Sequence, residues 1–238
     1  MNFVADLALA LVAIVAALLL LWLIRFWVKH AKDDPTVWEG ELRRLDKLDR
    51  ALPPPSDAIL FVGSSSFRYW KTLVADMAPL KVLDRGFGGS QIHDSTFHVR
   101  RLVVPFKPRA IVFYGGENDI AGILWSPRKT AAQARDAFKK FCLAVHAELP
   151  LVHIYVIAIK PPKRRIAHWP ALQEANRLLR EFCATDERLH YIDVVTPMLD
   201  EAGNPRVEVY RWDGLHYNER GYAEWTSIIK PILQKAYP

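Results

Sequence analysis

The 238-residue chain predicts an α/β fold: a parallel sheet covered by helices on both faces, preceded by a single apolar N-terminal helix. Three observations lead there. From residue 56 onward, short runs rich in Ile, Val and Phe alternate with helix-length stretches, the pattern of strand–helix–strand crossovers. The short runs are apolar at successive positions rather than at alternate ones, so neither sheet face meets water. Glycine-rich or polar turns follow the strands, and right-handed crossovers gather those turns on one sheet edge, where open α/β sheets bind ligands.

Residues 1–30 read as a membrane anchor. Leu7 to Ile24 are eighteen residues without a charged or strongly polar side chain, long enough at about 1.5 Å per residue to reach roughly 27 Å. A cleaved signal peptide would need a basic start and a shorter apolar run. Met1 to Asp6 hold no Lys or Arg, and the run closes on Leu18-Leu19-Leu20-Leu21-Trp22-Leu23-Ile24, so an uncleaved single-pass anchor is the expectation. Trp22 and Trp27 suit an interfacial belt. Arg25, Lys29 and Lys32 on the following flank place the C-terminal part in the cytoplasm, with a periplasmic or extracellular face as the alternative.

Residues 31–55 read as a helical connector. Trp38, Leu42, Leu45, Leu48 and Leu52 recur at helical spacing among charges, and Pro53-Pro54-Pro55 ends the helix. Packing on the following domain is the expected use; a membrane-surface or dimer helix is the alternative. Residues 56–238 read as the catalytic-type domain. Its expected strands are Ala58–Val62, Lys81–Asp84, Ala110–Tyr114, His153–Ile159 and His190–Val194. The intervening helices are expected near Phe67–Asp76, Ile92–Val104, Lys129–Leu149 and Ala171–Thr185, with a last one from Glu219 to Lys235.

Four segments on the strand ends carry the chemistry. Gly63-Ser64-Ser65-Ser66 follows the first strand and opens a helix, so its serines suit either an N-cap or a nucleophile. Phe67 stands where the second glycine of a Gly-x-Ser-x-Gly elbow would be. Gly86-Phe87-Gly88-Gly89 follows the second strand and permits close approach of backbone N–H groups, or is simply a turn. It does not continue as a dinucleotide fingerprint. Gly116-Glu117-Asn118-Asp119 follows the third strand, with an amide able to donate to an oxyanion or to cap its own loop. Asp213-Gly214-Leu215-His216 sets a carboxylate three residues from an imidazole, so that one turn orients the ring and leaves its other nitrogen for a hydroxyl.

Taken together, these segments resemble the four blocks of the SGNH/GDSL hydrolases, a superfamily of serine esterases and lipases, over roughly residues 56 to 237. The resemblance implies a flavodoxin-like three-layer sandwich, the SGNH hydrolase fold. It further implies Ser65 as nucleophile, Asp213 and His216 as its partners, and an oxyanion hole from the N–H groups of Ser65 and Gly89 with the Asn118 side chain. The expected activity is hydrolysis of carboxylic esters through an acyl-enzyme, on a small-molecule or lipid substrate. Ser64 and Ser66 depart from the Asp and Leu of the Gly-Asp-Ser-Leu signature, which bears on local packing and subfamily. A carbohydrate or cell-wall O-acetylesterase would use the same residues, and a non-catalytic membrane-tethered domain is the other alternative.

Composition narrows the partners. A net charge of +6 suits solubility or an anionic surface. With no basic stripe interleaved with aromatics, nucleic acid is not an expected partner. Cys142 and Cys183 form no Cys-x-x-Cys pair, and no His-Glu-x-x-His occurs, so neither a metal nor a cofactor is expected. His30, His93, His98, His146, His153, His168 and His190 are read as surface or satisfied core residues. Lys160, Lys163, Arg164 and Arg165 follow the fourth strand, as a solvated loop or as an attractor for anionic substrates. Nothing in the sequence fixes the oligomeric state.

Overall fold

A computed structural model describes residues 3–31, 33–123 and 126–238. Lys32, counted above in the charged flank, lies outside the described residues, as does the start of the anchor at Met1 and Asn2.

The first helix, α1 (Phe3–Ala31), contains the 23-residue stretch Asp6–Val28, with mean hydropathy 3.1 and nothing buried against the rest of the chain. It is long and apolar enough to cross a membrane. A 3₁₀ turn (Pro35–Trp38) leads into α2 (Glu39–Ala51). Of the connector's spaced apolar residues, Leu42 and Leu45 are buried in the domain core, whereas Leu48 and Leu52 are exposed. The helix is packed on the domain, and ion pairs fix it there: Arg101 with Glu39 and Asp46, and the buried Arg85 with Asp49 at 2.7 Å.

The five strands β1 (Ile59–Gly63), β2 (Val82–Gly86), β3 (Ala110–Tyr114), β4 (His153–Ile157) and β5 (Leu189–Ile192) form one sheet in the order β2-β1-β3-β4-β5. Every pairing is parallel. Between and after them run α3 (Ser65–Arg68), α4 (Leu73–Met77), α5 (Ile92–Phe97), α6 (Val99–Leu102), α7 (Glu117–Ala121), α8 (Ala131–Glu148), α9 (Trp169–Cys183) and α10 (Glu219–Ala236). Alternation along the strands sorts the core into two layers. Leu60, Val62, Ile111, Phe113, Ile154 and Val156 face α8 and α9 through Phe138, Phe141, Leu172 and Leu179. Ile59, Phe61, Val112, Tyr155 and Ile157 face α3, α4 and α10 through Phe67, Met77, Trp225 and Ile229. This is the expected three-layer sandwich.

Two of the expected helices are broken. The stretch Phe67–Asp76 splits into α3 and α4 at Tyr69–Thr72, where Trp70 turns inward, stacks on Tyr222 and donates its indole N–H to Asp76 at 2.6 Å. The stretch Ile92–Val104 splits at His98, which leaves helical angles (φ −95°, ψ 12°) and donates Nε2–H to the Pro35 carbonyl at 3.1 Å. One short helix, α7, stands where the sequence suggested only a loop.

Sheet order reverses between β1 and β3, the place where such sheets open a crevice at their C-terminal edge. Gly63 pairs with Gly86 on one side and Tyr114 on the other, so three of the four singled-out segments leave the sheet side by side.

Candidate active site

At Gly63 (φ +145°) the chain turns so closely over β3 that a Cβ would lie 1.9 Å from the Tyr114 carbonyl oxygen. That carbonyl instead accepts the Ser64 N–H at 3.0 Å, which sets Ser65 as the first residue of α3. Ser64 occupies the N-cap position without a side-chain capping bond.

The Asp213–His216 turn is folded by its own carboxylate. Asp213 Oδ1 accepts the backbone N–H groups of Leu215 and His216, both at 2.9 Å. Oδ2 is then free to take the ring, and lies 2.8 Å from His216 Nδ1. His216 Nε2 lies 2.8 Å from Ser65 Oγ. With Nδ1–H donated to the carboxylate, Nε2 carries the lone pair and accepts the serine hydroxyl. Burial opposes ionisation of Asp213, but the hydrogen bonds from His216 and Leu215 outweigh it and hold the carboxyl at about 2. Burial lowers the His216 pKa, against the raising effect of Asp213, and the Lys160 charge pushes it further down. The imidazole is therefore neutral at neutral pH and able to accept a proton.

Gly89 and Asn118 reach the same cleft as the serine from neighbouring turns. Gly89 has φ +77°, and a Cβ there would meet Trp38 Cη2 at 2.7 Å and Ile123 Cδ1 at 2.8 Å. Only glycine fits that turn. Asn118, in α7, is buried; its Nδ2 donates to the Ser90 carbonyl at 3.0 Å and its Oδ1 accepts from Arg165 Nη1 at 2.9 Å.

Ser65, Gly89, Asn118 and His216 line one cleft of about 330 Å³, and Asp213 backs the ring from behind. All five residues singled out in the sequence are thus brought together. Several other wall residues were not anticipated. Trp38 comes from the connector, and Glu41 pairs with Arg68 at 3.1 Å on the rim. Glu117 is buried beneath Asn118 and binds both Lys160 and Arg165, the latter at 3.2 Å. Of the basic loop, then, Lys160 is buried and paired, Arg165 is half-buried and paired, and Lys163 and Arg164 are exposed. Its charges are divided between a structural ion cluster and solvent. The available clue was an acidic residue beside Asn118 with cations beyond the next strand; pairing them required the fold.

The connector is clamped beside this cleft. Lys129 Nζ bonds Gln91 Oε1 at 2.7 Å and His93 Nδ1 at 3.1 Å, and pairs with Asp33 at 3.3 Å, while Gln91 Nε2 donates to the Asn118 carbonyl at 3.1 Å. His93 Nε2–H completes the link to the Asp33 carbonyl at 3.0 Å. Among the described residues there is no cluster of three or more His, Cys, Asp or Glu able to hold a metal ion.

A hydroxyl, an imidazole and a carboxylate thus stand in hydrogen-bonded series at the switch point of a doubly wound α/β sheet. The chain belongs to the GDSL-like Lipase/Acylhydrolase family, which its residues 55–224 match. Among solved structures it is similar to a GDSL-like lipase from Bacteroides thetaiotaomicron, with a TM-score of 0.67, 19% identity, and coverage of 82% of this chain and 98% of the other. A carbohydrate esterase family 3 structure from Talaromyces cellulolyticus gives a TM-score of 0.60 at 17% identity, covering 75% and 97%. In sequence, the chain is 26% identical over 179 residues to an N-acylneuraminate cytidylyltransferase of Escherichia coli O18:K1:H7. That match takes in 74% of this chain but only 40% of the length of that protein.

Proposed function

We propose that the chain is a membrane-anchored carboxylic-ester hydrolase in which Ser65, His216 and Asp213 act as a catalytic triad. The observation that carries this reading is the unbroken series Asp213 Oδ2, His216 and Ser65 Oγ, with both links at 2.8 Å. His216 Nε2 takes the Ser65 proton as Oγ attacks the ester carbonyl. The imidazolium so formed is stabilised by Asp213. The tetrahedral oxyanion is held by the N–H groups of Ser65 and Gly89 and by Asn118 Nδ2. His216 returns the proton to the departing alcohol, and water repeats both steps on the acyl-enzyme.

The apolar length of α1 supports anchoring, with residues 1–30 as the anchor and 56–238 as the hydrolase domain. Residues 31–55 belong functionally to that domain, because they supply Trp38 and Glu41 to the cleft. A cleft of about 330 Å³ lined by Glu41 and Arg68 favours a short acyl group on a polar alcohol. That same feature favours a second reading, an O-acetylesterase acting on carbohydrate. A serine-reactive fluorophosphonate should label the full chain, fail on Ser65→Ala, and still label Ser64→Ala and Ser66→Ala. Labelling that survives Ser65→Ala would reject the reading. A panel of acetyl, butyryl and long-chain esters, with acetylated sugars among them, then separates the two substrate classes.

A further inference from the structure

The direction of the Asn118 carboxamide is set by two opposed neighbours. Ser90 offers a carbonyl to Nδ2 at 3.0 Å, and Arg165 offers an N–H to Oδ1 at 2.9 Å. Reversing the amide would set NH₂ against guanidinium and oxygen against carbonyl, two repulsive contacts replacing two attractive ones. Nδ2 has two hydrogens, and Ser90 uses one. The second is the donor available to an oxyanion.

We infer that Arg165 is a positioning residue, which aims the Asn118 amide N–H at the transition-state oxyanion; this rests on the ester-hydrolase reading above. Three features of the surroundings make Arg165 suited to the task. Its guanidinium is itself held, because Nη1 also donates to Glu117 Oε1 at 3.2 Å, one residue before the amide it orients. Glu117 is fixed in turn by the buried Lys160 and by the Tyr114 hydroxyl at 3.4 Å. The adjoining residue of the same loop reaches the other half of the site: Arg164 N–H donates to the Gly214 carbonyl at 2.9 Å, inside the Asp213–His216 turn. One loop therefore registers the amide donor and the imidazole against each other.

Charge works in the same direction. Lys160 and Arg165 bring two positive charges to the single negative charge of Glu117, so the cluster beneath Asn118 carries a surplus of one. A bond from a cation to Oδ1 draws electron density from the amide and strengthens Nδ2–H as a donor. The benefit appears when the oxyanion forms, so it belongs to kcat rather than to substrate binding. Removing an oxyanion donor outright costs about 10²–10³ in kcat in a protease; loosening one through its partner should cost less.

The test uses the full chain in detergent micelles with a neutral short-chain ester. Arg165→Ala should lower kcat by about 10- to 100-fold, with KM changed less than about threefold. Arg165→Lys, which keeps the charge but lacks the planar fork, should recover only part of the loss. Asn118→Ala should lower kcat further than Arg165→Ala, and adding Arg165→Ala to it should change kcat by less than about twofold, since the amide to be aimed is gone. Multiplying effects in the double variant, or a loss confined to KM, would overturn the inference. Should Arg165→Ala fail to fold, the same cycle run with Arg165→Lys and Arg165→Gln decides the matter. Fluorophosphonate labelling of the wild type is measured alongside. Its absence, or its persistence in Ser65→Ala, rejects the hydrolase reading itself, whereas normal labelling with an additive cycle rejects only the role of Arg165.

Discussion

Asn176 grips both backbone groups of Ile159: Oδ1 accepts the Ile159 N–H at 2.7 Å and Nδ2 donates to its carbonyl at 2.9 Å. Ile159 lies just past the end of β4, where the sheet no longer satisfies the chain, and the next residue is the buried Lys160. One side chain on α9 thus replaces a strand neighbour and holds the start of the loop that reaches Asn118.

Asn176→Ala leaves two buried backbone groups without partners, each costing about 1–3 kcal/mol. A loss of about 2–4 kcal/mol in unfolding free energy is expected from denaturant titration of the domain. A change below about 0.5 kcal/mol would mean that water or a shifted backbone replaces the clamp.

Gly89→Ala combines a positive φ with a Cβ that would overlap Trp38 and Ile123. The turn, which carries a proposed oxyanion N–H, must shift or displace the Trp38 wall. Ester hydrolysis should fall by at least about tenfold, with Ser65 still present. Pairing it with Trp38→Ala relieves the overlap with Trp38 but leaves Ile123 and the backbone strain, so only partial recovery of kcat is expected.

Trp38→Ala on its own enlarges the cleft beside Gly89. Relative kcat/KM should shift from acetyl towards butyryl or longer esters, read from the chain-length panel. An unchanged ratio would show that the acyl group lies against another wall.

The pH profile of kcat/KM follows His216. Its pKa is lowered by burial and by Lys160, so the acid limb should fall at a midpoint below the ordinary 6.5 and the rate should be level by neutrality. Asp213→Asn removes the carboxylate that sets the tautomer, and kcat should drop on the order of 10³–10⁴-fold, as the equivalent change does in a serine protease.

Asp119 gives a stability prediction of opposite sign to the usual carboxylate. It is fully buried, and burial pushes it up to about 6 in spite of Lys129 at 3.7 Å and the Ile92 N–H. Between its ordinary 3.8 and about 6 the folded chain keeps a proton that the unfolded chain has released. The contribution of Asp119 is therefore greatest at low pH and declines as pH rises through about 6. A carboxamide in its place has no proton to release over this range. The stability of Asp119→Asn relative to wild type should improve from about pH 4 to about pH 7 in paired thermal melts; a flat or falling difference would contradict it.

The strands and the four chemical segments were legible because each is written locally. Apolar runs such as Ile59–Val62 and Ala110–Tyr114 can satisfy themselves only inside a two-sided sheet, and the turns after them follow from the crossovers. The helix breaks were not legible, since their causes are distant. His98 bends towards a carbonyl at Pro35, and Trp70 turns in to meet Tyr222. The same holds for the outer parts of the site. Trp38 looked like one more apolar position on a connector helix, yet it walls the cleft. Arg165 looked like one charge in a basic loop, and its bond to Asn118 spans 47 residues. Such pairings are properties of the packed chain and leave no spacing signal.

Ser65 and the imidazole it meets are separated by 151 residues, with β2 to β5 threaded between them. During synthesis the hydroxyl emerges early and meets its imidazole only after the turn before α10 has been made and has docked. On the reading of Ser65 as the nucleophile, a nascent polypeptide is then chemically silent, and turnover itself becomes a readout of whether the final segment has found its seat.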